Sequence, residues 1–319
     1  MATIKVKRGT RSEINTAASA SGLNQGELYL ITDEDVLAVG ISTSTYEDVN
    51  SGSFPSFRNR IINGNLSNPI NQRGAGSITA STGYTYDRWY YDGTTYLYQG
   101  IEDKNANNGT YVISWEGSGI NAAWKVSTDT TANNGPDATT GFTSVSNGGT
   151  FTVNEGTEYS KHLWIRFDGT LANLDKVQVE EGTVATPFEH RPTSVELSLA
   201  QRYYQKSYLQ GTVPGTVTRT GCVQLGSYSN TATTMNNGVG FRFPVVMRAA
   251  PTMTGYDPDV ANTTGQGRWD ASGIPTTQGA LTFGVVGDAG VGSVLIATTG
   301  RTAGAGLTLI FHYTASVEL

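Results

Sequence analysis

Gly26-Glu27-Leu28-Tyr29-Leu30-Ile31-Thr32-Asp33-Glu34-Asp35-Val36-Leu37-Ala38-Val39-Gly40 holds two short apolar runs separated by four polar residues. Apolar runs of strand length on either side of turn chemistry predict a β-hairpin. Gly26 and Gly40 flank it where the backbone has to turn. Asp33, Glu34 and Asp35 at the tip are read as solvated turn residues, in preference to a metal site or an acid–base pair.

Upstream of the hairpin, Ile4 and Val6 alternate with Lys5 and Lys7 as an edge strand would. Thr10-Arg11-Ser12-Glu13 is a capping-box pattern, in which hydroxyl and carboxylate satisfy two orphan N–H groups at a helix start, and it predicts a short helix to about Ala20. Downstream, residues 42–56 are polar and aperiodic (Ser42-Thr43-Ser44-Thr45, Asn50-Ser51-Gly52-Ser53), as a linker is. The first module is therefore expected over 1–41, with a linker over 42–56.

Residues 57–191 contain many short strand candidates broken by Gly and Asn turns, such as Asn108-Gly109 before Thr110-Tyr111-Val112-Ile113. That pattern predicts a sandwich or jelly roll. At Pro192 the pattern changes: Thr193-Ser194-Val195-Glu196 is a second capping-box candidate, and Leu197, Ala200 and Tyr204 follow at helical spacing, so a helix is expected from Val195 to about Tyr208. Strand-like runs then return at Phe241-Arg242-Phe243, Leu281 to Val286, Val294-Leu295-Ile296 and Leu307 to Tyr313, and 192–319 is read as a C-terminal β-sandwich.

Composition agrees with a mainly β protein. Charged residues are 15% of the chain and Gly numbers 39, so the surface is built largely from neutral polar groups. Net charge is −6 with no dense basic cluster, which disfavours a nucleic-acid partner. Apolar runs are strand-length, far short of the roughly 20 residues of a membrane helix, and the first residues lack the apolar core of a secretory signal. Cys222 is the only cysteine, so no intrachain disulfide forms, and it is read as a single buried thiol.

Three motifs resemble parts of tailed-bacteriophage adhesion proteins. The stretch from Lys7-Arg8-Gly9-Thr10 through Gly26 to Gly40 resembles the N-terminal module of phage tropism-determinant and tail-fibre proteins. Arg60-Ile61-Ile62-Asn63-Gly64-Asn65, Asn71-Gln72-Arg73-Gly74, Tyr86-Asp87-Arg88-Trp89 and Lys176 to Glu189 are similar to carbohydrate-binding-module-like jelly rolls of tail fibres. Ala200-Gln201-Arg202-Tyr203-Tyr204 belongs to the same pattern, with Ala200 where that family often has cysteine. Phe241 to Thr252 and an aromatic final strand ending in Glu318-Leu319 resemble fibre tip domains. The resemblance implies a homotrimeric receptor-binding tail fibre in the virion, joined to tail or baseplate proteins by its N-terminal module and to host surface polysaccharide or protein by its distal part.

Candidate contact residues are aromatics near turns. Trp115 and Trp124 lie beside Gly and Asn turns and are expected to expose a ring for sugar stacking, whereas Trp164, between Leu163 and Ile165, is read as core. Tyr228, Tyr256, Asp257, Trp269 and Asp270 lie in loop-like, Gly- or Pro-rich surroundings and form the receptor-contact set of the C-terminal domain. No nucleophile elbow, zinc motif, P-loop or dinucleotide fingerprint occurs, and adjacent Glu180 and Glu181 point to opposite faces of a strand, so no catalytic residue and no cofactor is expected. His162, His190 and His312 are read as scaffold residues. Asp103, Asn105 and Asn107 alternate like the start of a calcium loop, but Asn108 and Ser114 stand where the glycine and the bidentate glutamate are needed, so no metal is expected. A glycan-cleaving fibre and a cellular carbohydrate-binding adhesin are the alternatives to a pure phage adhesin.

Overall fold

The computed structural model describes residues 6–33, 36–48, 57–102, 106–127, 140–154, 161–228, 239–270, 277–285, 291–297 and 306–319. Strands account for 39% of the chain and helices for 9%, which makes the fold mainly β. The chain divides into two compact units, Met1–Arg58 and Asn59–Leu319.

In the first unit, β1 (Lys7–Gly9) precedes helix α1 (Arg11–Ser19), β2 (Leu28–Ile31), β3 (Val36–Gly40) and β4 (Tyr46–Asp48). They form one sheet in the order β1-β2-β3-β4, with β1 parallel to β2 and the predicted hairpin between β2 and β3. The capping box closes as the sequence requires: Glu13 N–H donates to Thr10 Oγ1 at 3.3 Å, and Thr10 N–H donates to Glu13 Oε2 at 2.8 Å. Asp33 at the hairpin tip accepts from Arg11 N–H at 2.9 Å, which joins the turn to the helix start. Ile14 and Ala18 of α1 pack on Tyr29, Ile31 and Ala38, the inward residues of the alternating strands. Thr10→Ala should lower the stability of this unit by about 1 kcal/mol, whereas Thr10→Ser retains it, read from its urea midpoint. The expected linker over 42–56 is corrected at Tyr46–Asp48, which pair with β3 as a fourth strand. Arg11 holds that strand, donating to both oxygens of Asp48 at 3.0 and 2.9 Å.

The second unit begins with two sheets. One has β5 (Gly83–Tyr84), β6 (Tyr90–Tyr91), β7 (Leu97–Ile101), β9 (Ile120–Ser127), β10 (Thr143–Val145) and β12 (His162–Gly169), in the order β10-β9-β12-β7-β6-β5. The other orders β11 (Thr150–Val153), β8 (Gly109–Glu116) and β13 (Asp175–Glu181) as β11-β8-β13. Tyr111, Ile113 and Trp115 of β8, with Val177 and Val179 of β13, share one core with Leu163, Ile165 and Phe167 of β12 and with Trp89. Each triplet follows the two-residue period of a strand, so the two sheets face each other as a sandwich. Glu180 and Glu181 divide as expected: Glu180 is buried and accepts from Thr186, while Glu181 is exposed and paired with Arg60 at 2.6 Å.

The six-stranded sheet is also covered on its other face. Trp164 and Tyr98, both fully buried, pack there with Tyr203 and Leu319. Those two residues come from the C-terminal half, so the two halves of 59–319 have separate main cores yet form one compact unit. Helix α2 (Thr193–Gln201) leads to β14 (Tyr204–Lys206). The helix expected to reach about Tyr208 stops at Gln201, because β14 leaves it to pair with the final strand. Its capping box does not form: Pro192 stands at the N-cap position, and Glu196 accepts from Asn63 N–H and pairs with Arg191.

Beyond β14 come β15 (Val223–Tyr228), β16 (Val239–Arg242), β17 (Thr252–Tyr256), β18 (Gln266–Asp270), β19 (Thr277–Val285), β20 (Val291–Ala297) and β21 (Gly306–Ser316). These strands and β14 are joined by hydrogen bonds into one eight-stranded network that shares β21. At 11 residues β21 is long enough to pair with four partners, β15 and β18 along its first half and β14 and β17 along its second. Leu309 through Thr314 are all buried because both faces of β21 are packed, His312 against Tyr208 and Tyr313 against Phe243.

A buried polar joint ties the sandwich to the end of β21. Glu318, fully buried, accepts from Arg88 and, at 2.9 Å, from Arg73. The Arg88 guanidinium also donates to the Gly100 carbonyl and lies 3.6 Å over the Tyr203 ring. Asp87 accepts from Gln72 N–H at 2.9 Å and has its second oxygen 3.7 Å from Arg73 Nε. Burial pushes the Asp87 carboxyl up to about 7 against the opposing pull of Arg73.

Candidate functional site

Of the residues expected to contact a ligand, the tryptophans of the sandwich are placed differently from their predicted role. Trp115 is 8% exposed, edge-on to Phe167 at 5.7 Å, and Trp124 is half-buried and stacked on Phe151 at 4.9 Å. Both expectations of an exposed ring are corrected. The alternations Tyr111/Ile113/Trp115 and Ala122/Trp124/Val126 send these rings towards the core, and proximity to a turn does not override a strand's period.

The C-terminal set is corrected too. Tyr228, Tyr256, Trp269 and Asp270 were expected in loops but end the paired strands β15, β17 and β18. The side chains of Tyr228, Trp269 and Asp270 lie outside the described residues. Tyr256 is half-buried against Tyr208, edge-on at 6.0 Å. Asp257 is fully buried and accepts from Arg268 Nε at 2.9 Å, Gln278 Nε2 at 2.8 Å and Asp259 N–H at 2.8 Å. With its acceptors filled in this way, Asp257 organises the loop after β17 and presents nothing to a ligand.

Beside this cluster, His312 is fully buried and stacked on Tyr208 at 3.7 Å. Its Nε2 donates to the Thr218 carbonyl at 2.9 Å, so Nδ1 accepts from Ser207 Oγ at 2.9 Å. Burial holds its pKa below the ordinary histidine value. The folded state therefore binds fewer protons than the unfolded one below the unfolded pKa, so stability is lost as pH falls from about 6.5. Asp87 works in the opposite sense, since its raised pKa favours the folded state as pH drops from about 7 towards 4. The His312 contribution is isolated by comparison with His312→Asn: unfolding free energy measured at pH 7.5 and 5.5 should fall more on acidification in the unsubstituted protein than in the variant. Cys222, expected to be buried, is half-buried, and partial burial raises its pKa.

The arrangement best suited to a ligand is a shallow open groove at one end of the sandwich, lined among others by Trp115, Ile120, Asn121, Val145, Ser146 and Asp168. Strand pairing builds it. The β9–β12 register sets Asn121 opposite Asp168, and Asn121 Nδ2 donates to Asp168 Oδ1 at 2.7 Å. The β9–β10 register sets Val145 opposite Ala122. Asn147, in the turn between β10 and β11, clips β8 by accepting from Trp115 N–H at 3.0 Å and donating to the Trp115 carbonyl at 2.8 Å. Gly117 is in the left-handed region at φ 112°, and a Cβ there would run into the Asn173 carbonyl, so this tight turn requires glycine.

The lining of the groove combines Trp115 and Ala122, both buried, and the half-buried Ile120 and Val145 with the polar side chains of Asn121, Ser144, Ser146 and Asp168. Apolar side chains beside amide, hydroxyl and carboxylate groups can take the two sides of a sugar ring, its C–H face and its hydroxyls. Sequence reasoning found Trp115 but missed Asn121 and Asp168, which are 47 residues apart and meet only through the β9–β12 register.

Among the described residues, no group of three or more His, Cys, Asp and Glu side chains is placed to hold a metal ion. The calcium-loop candidates Asp103 and Asn105 lie outside the described residues. No described helix is long and apolar enough to cross a membrane. Neither a protein-family model nor a curated protein matches the chain.

Proposed function

We propose that this chain is a phage tail fibre, a non-enzymatic adsorption protein that holds a host-surface glycan in the groove over Trp115, Ile120 and Val145. The observation that carries this reading is the groove itself, whose lining sets apolar Ile120 and Val145 beside the polar Asn121, Ser144, Ser146 and Asp168. The unit at 1–58, with its capped helix and four-stranded sheet, is the part that would join the tail, in line with the resemblance of its motif. A homotrimer in the virion is the assembly that the same resemblance implies.

The test uses labelled full-length protein and cells of a susceptible and a resistant host strain. Binding should be confined to the susceptible strain and fall about tenfold in an Asn121→Ala/Asp168→Ala variant, the effect of losing one to two ligand hydrogen bonds. Equal binding to both strains, or full retention by a correctly folded variant, would exclude the groove as the receptor site. Release of reducing ends from the host polysaccharide would instead support the glycan-cleaving alternative.

A further inference from the structure

The charge and hydrogen-bond polarity of the groove specify the kind of glycan it takes. Resting on the reading above that the groove holds a glycan, we propose that its ligand is an uncharged polysaccharide and that acidic polysaccharides are rejected.

Acceptors outnumber donors among the polar lining atoms. Asp168 Oδ1 accepts from Asn121 Nδ2 at 2.7 Å, which leaves Asp168 Oδ2 and the Asn121 carbonyl oxygen to receive hydrogen bonds and one Asn121 N–H to donate. Ser144 and Ser146 add hydroxyls that donate or accept. Asn147 is held in place by the Trp115 backbone at both ends of its amide. A ligand matching this set brings O–H donors to two fixed acceptors and a C–H face to Ile120 and Val145. Sugar hydroxyls and a pyranose ring meet both requirements.

An acidic sugar does not. Arginine and lysine are the favoured partners of a carboxylate or phosphate, and none lines the groove among the described residues. Lys176 is paired with Glu116 at 2.8 Å, and the Lys125 ammonium lies 5.8 Å from the centre of the Phe142 ring. Asp168, the one charged residue among the described lining, has the same sign as a uronate or sialate carboxylate, and like charges brought together at an interface select against the wrong partner.

The experiment is surface-based binding of the full chain to purified neutral polysaccharides (a glucan, a mannan, a galactan) and acidic ones (alginate, polysialic acid, hyaluronan) at 0.15 M salt. At least one neutral polymer should bind, with about a tenfold loss in Asn121→Ala and in Asp168→Ala. Each acidic polymer should bind at least about tenfold more weakly than that neutral one, and Asp168→Lys should narrow the gap. Acidic polymers that bind as well as neutral ones, and that lose binding in the same two alanine variants, would overturn the uncharged-ligand inference while leaving glycan binding in place. Binding to no polymer, or binding untouched by either variant, would overturn the glycan reading itself and this inference with it. Unchanged denaturation midpoints establish that the variants are folded.

Discussion

Replacing Glu318 by alanine is expected to destabilise the 59–319 unit by about 3–5 kcal/mol, the range for removing one partner of a buried ion pair. Arg88 is 1% exposed, and its guanidinium reaches the Glu318 carboxylate, the Gly100 carbonyl and the face of Tyr203. Arg73 shares that carboxylate and lies 3.7 Å over the Tyr204 ring. Without Glu318 two cations stay in the joint, and Asp87 is the remaining carboxyl beside them. Arg88→Met alone should be similarly damaging, because it removes the fully buried cation that faces the Glu318 carboxylate. The double variant Arg88→Met/Glu318→Leu should recover much of the loss, since a buried pair replaced by apolar side chains of similar volume is often near neutral. Urea denaturation of the three variants checks the prediction. A loss under about 1 kcal/mol in Glu318→Ala, the level of a solvated surface pair, would mean the joint is open to water.

Trp89→Ala should cost about 3–5 kcal/mol, the range for truncating a large aromatic in a packed core. The ring is fully buried, meets Phe167 at 6.0 Å, and donates from Nε1 to the Asn63 carbonyl at 2.8 Å. The loss therefore has two parts, the cavity and an acceptor left without its donor. Trp89→Phe keeps much of the apolar volume but not the donor, so it should cost clearly less than alanine while remaining above about 1 kcal/mol. The same urea titrations read both values, and equal losses in Phe and Ala would assign the effect to the hydrogen bond alone.

These two predictions bear on how the motifs are to be understood. Asn63, Gln72, Arg73, Asp87, Arg88 and Glu318, all in the motifs singled out in the sequence, hold the fold together. Asn63 bridges the Ile70 and Asp87 carbonyls at 2.8 and 2.9 Å, and Gln72 reaches the Tyr204 carbonyl at 2.9 Å. Residues of this kind build a scaffold, and a scaffold does not choose a ligand. In the proposed function that choice falls to Asn121, Ser144, Ser146 and Asp168, at strand ends and turns.

The first forty residues were the most legible, because each of their signals is local. A cap needs a residue three positions away, a hairpin needs two runs and a turn, and Thr10, Glu13 and residues 26–40 supply both. The strands at Leu281, Val294 and Leu307 were legible for the same reason. Less legible was where strands go once formed. Tyr228, Tyr256 and Trp269 sit among turn-forming residues and resemble loop residues until β21 is seen pairing with the strands they end. Trp115 stands two residues before the turn glycine Gly117, a place that suggests exposure, but its alternation with Tyr111 and Ile113 buries it.

By itself, then, the sequence determined a mainly β chain, its capped first helix, its central hairpin and most of its apolar strands, since these follow from periodicity and contacts within a few residues. Only the tertiary structure decided that Glu318 neutralises Arg88 across 230 residues and that Asn121 meets Asp168 across 47. Those pairings depend on strand register and on which face of a sheet is covered. Both are set by the whole core at once, and neither is written in any local stretch of residues.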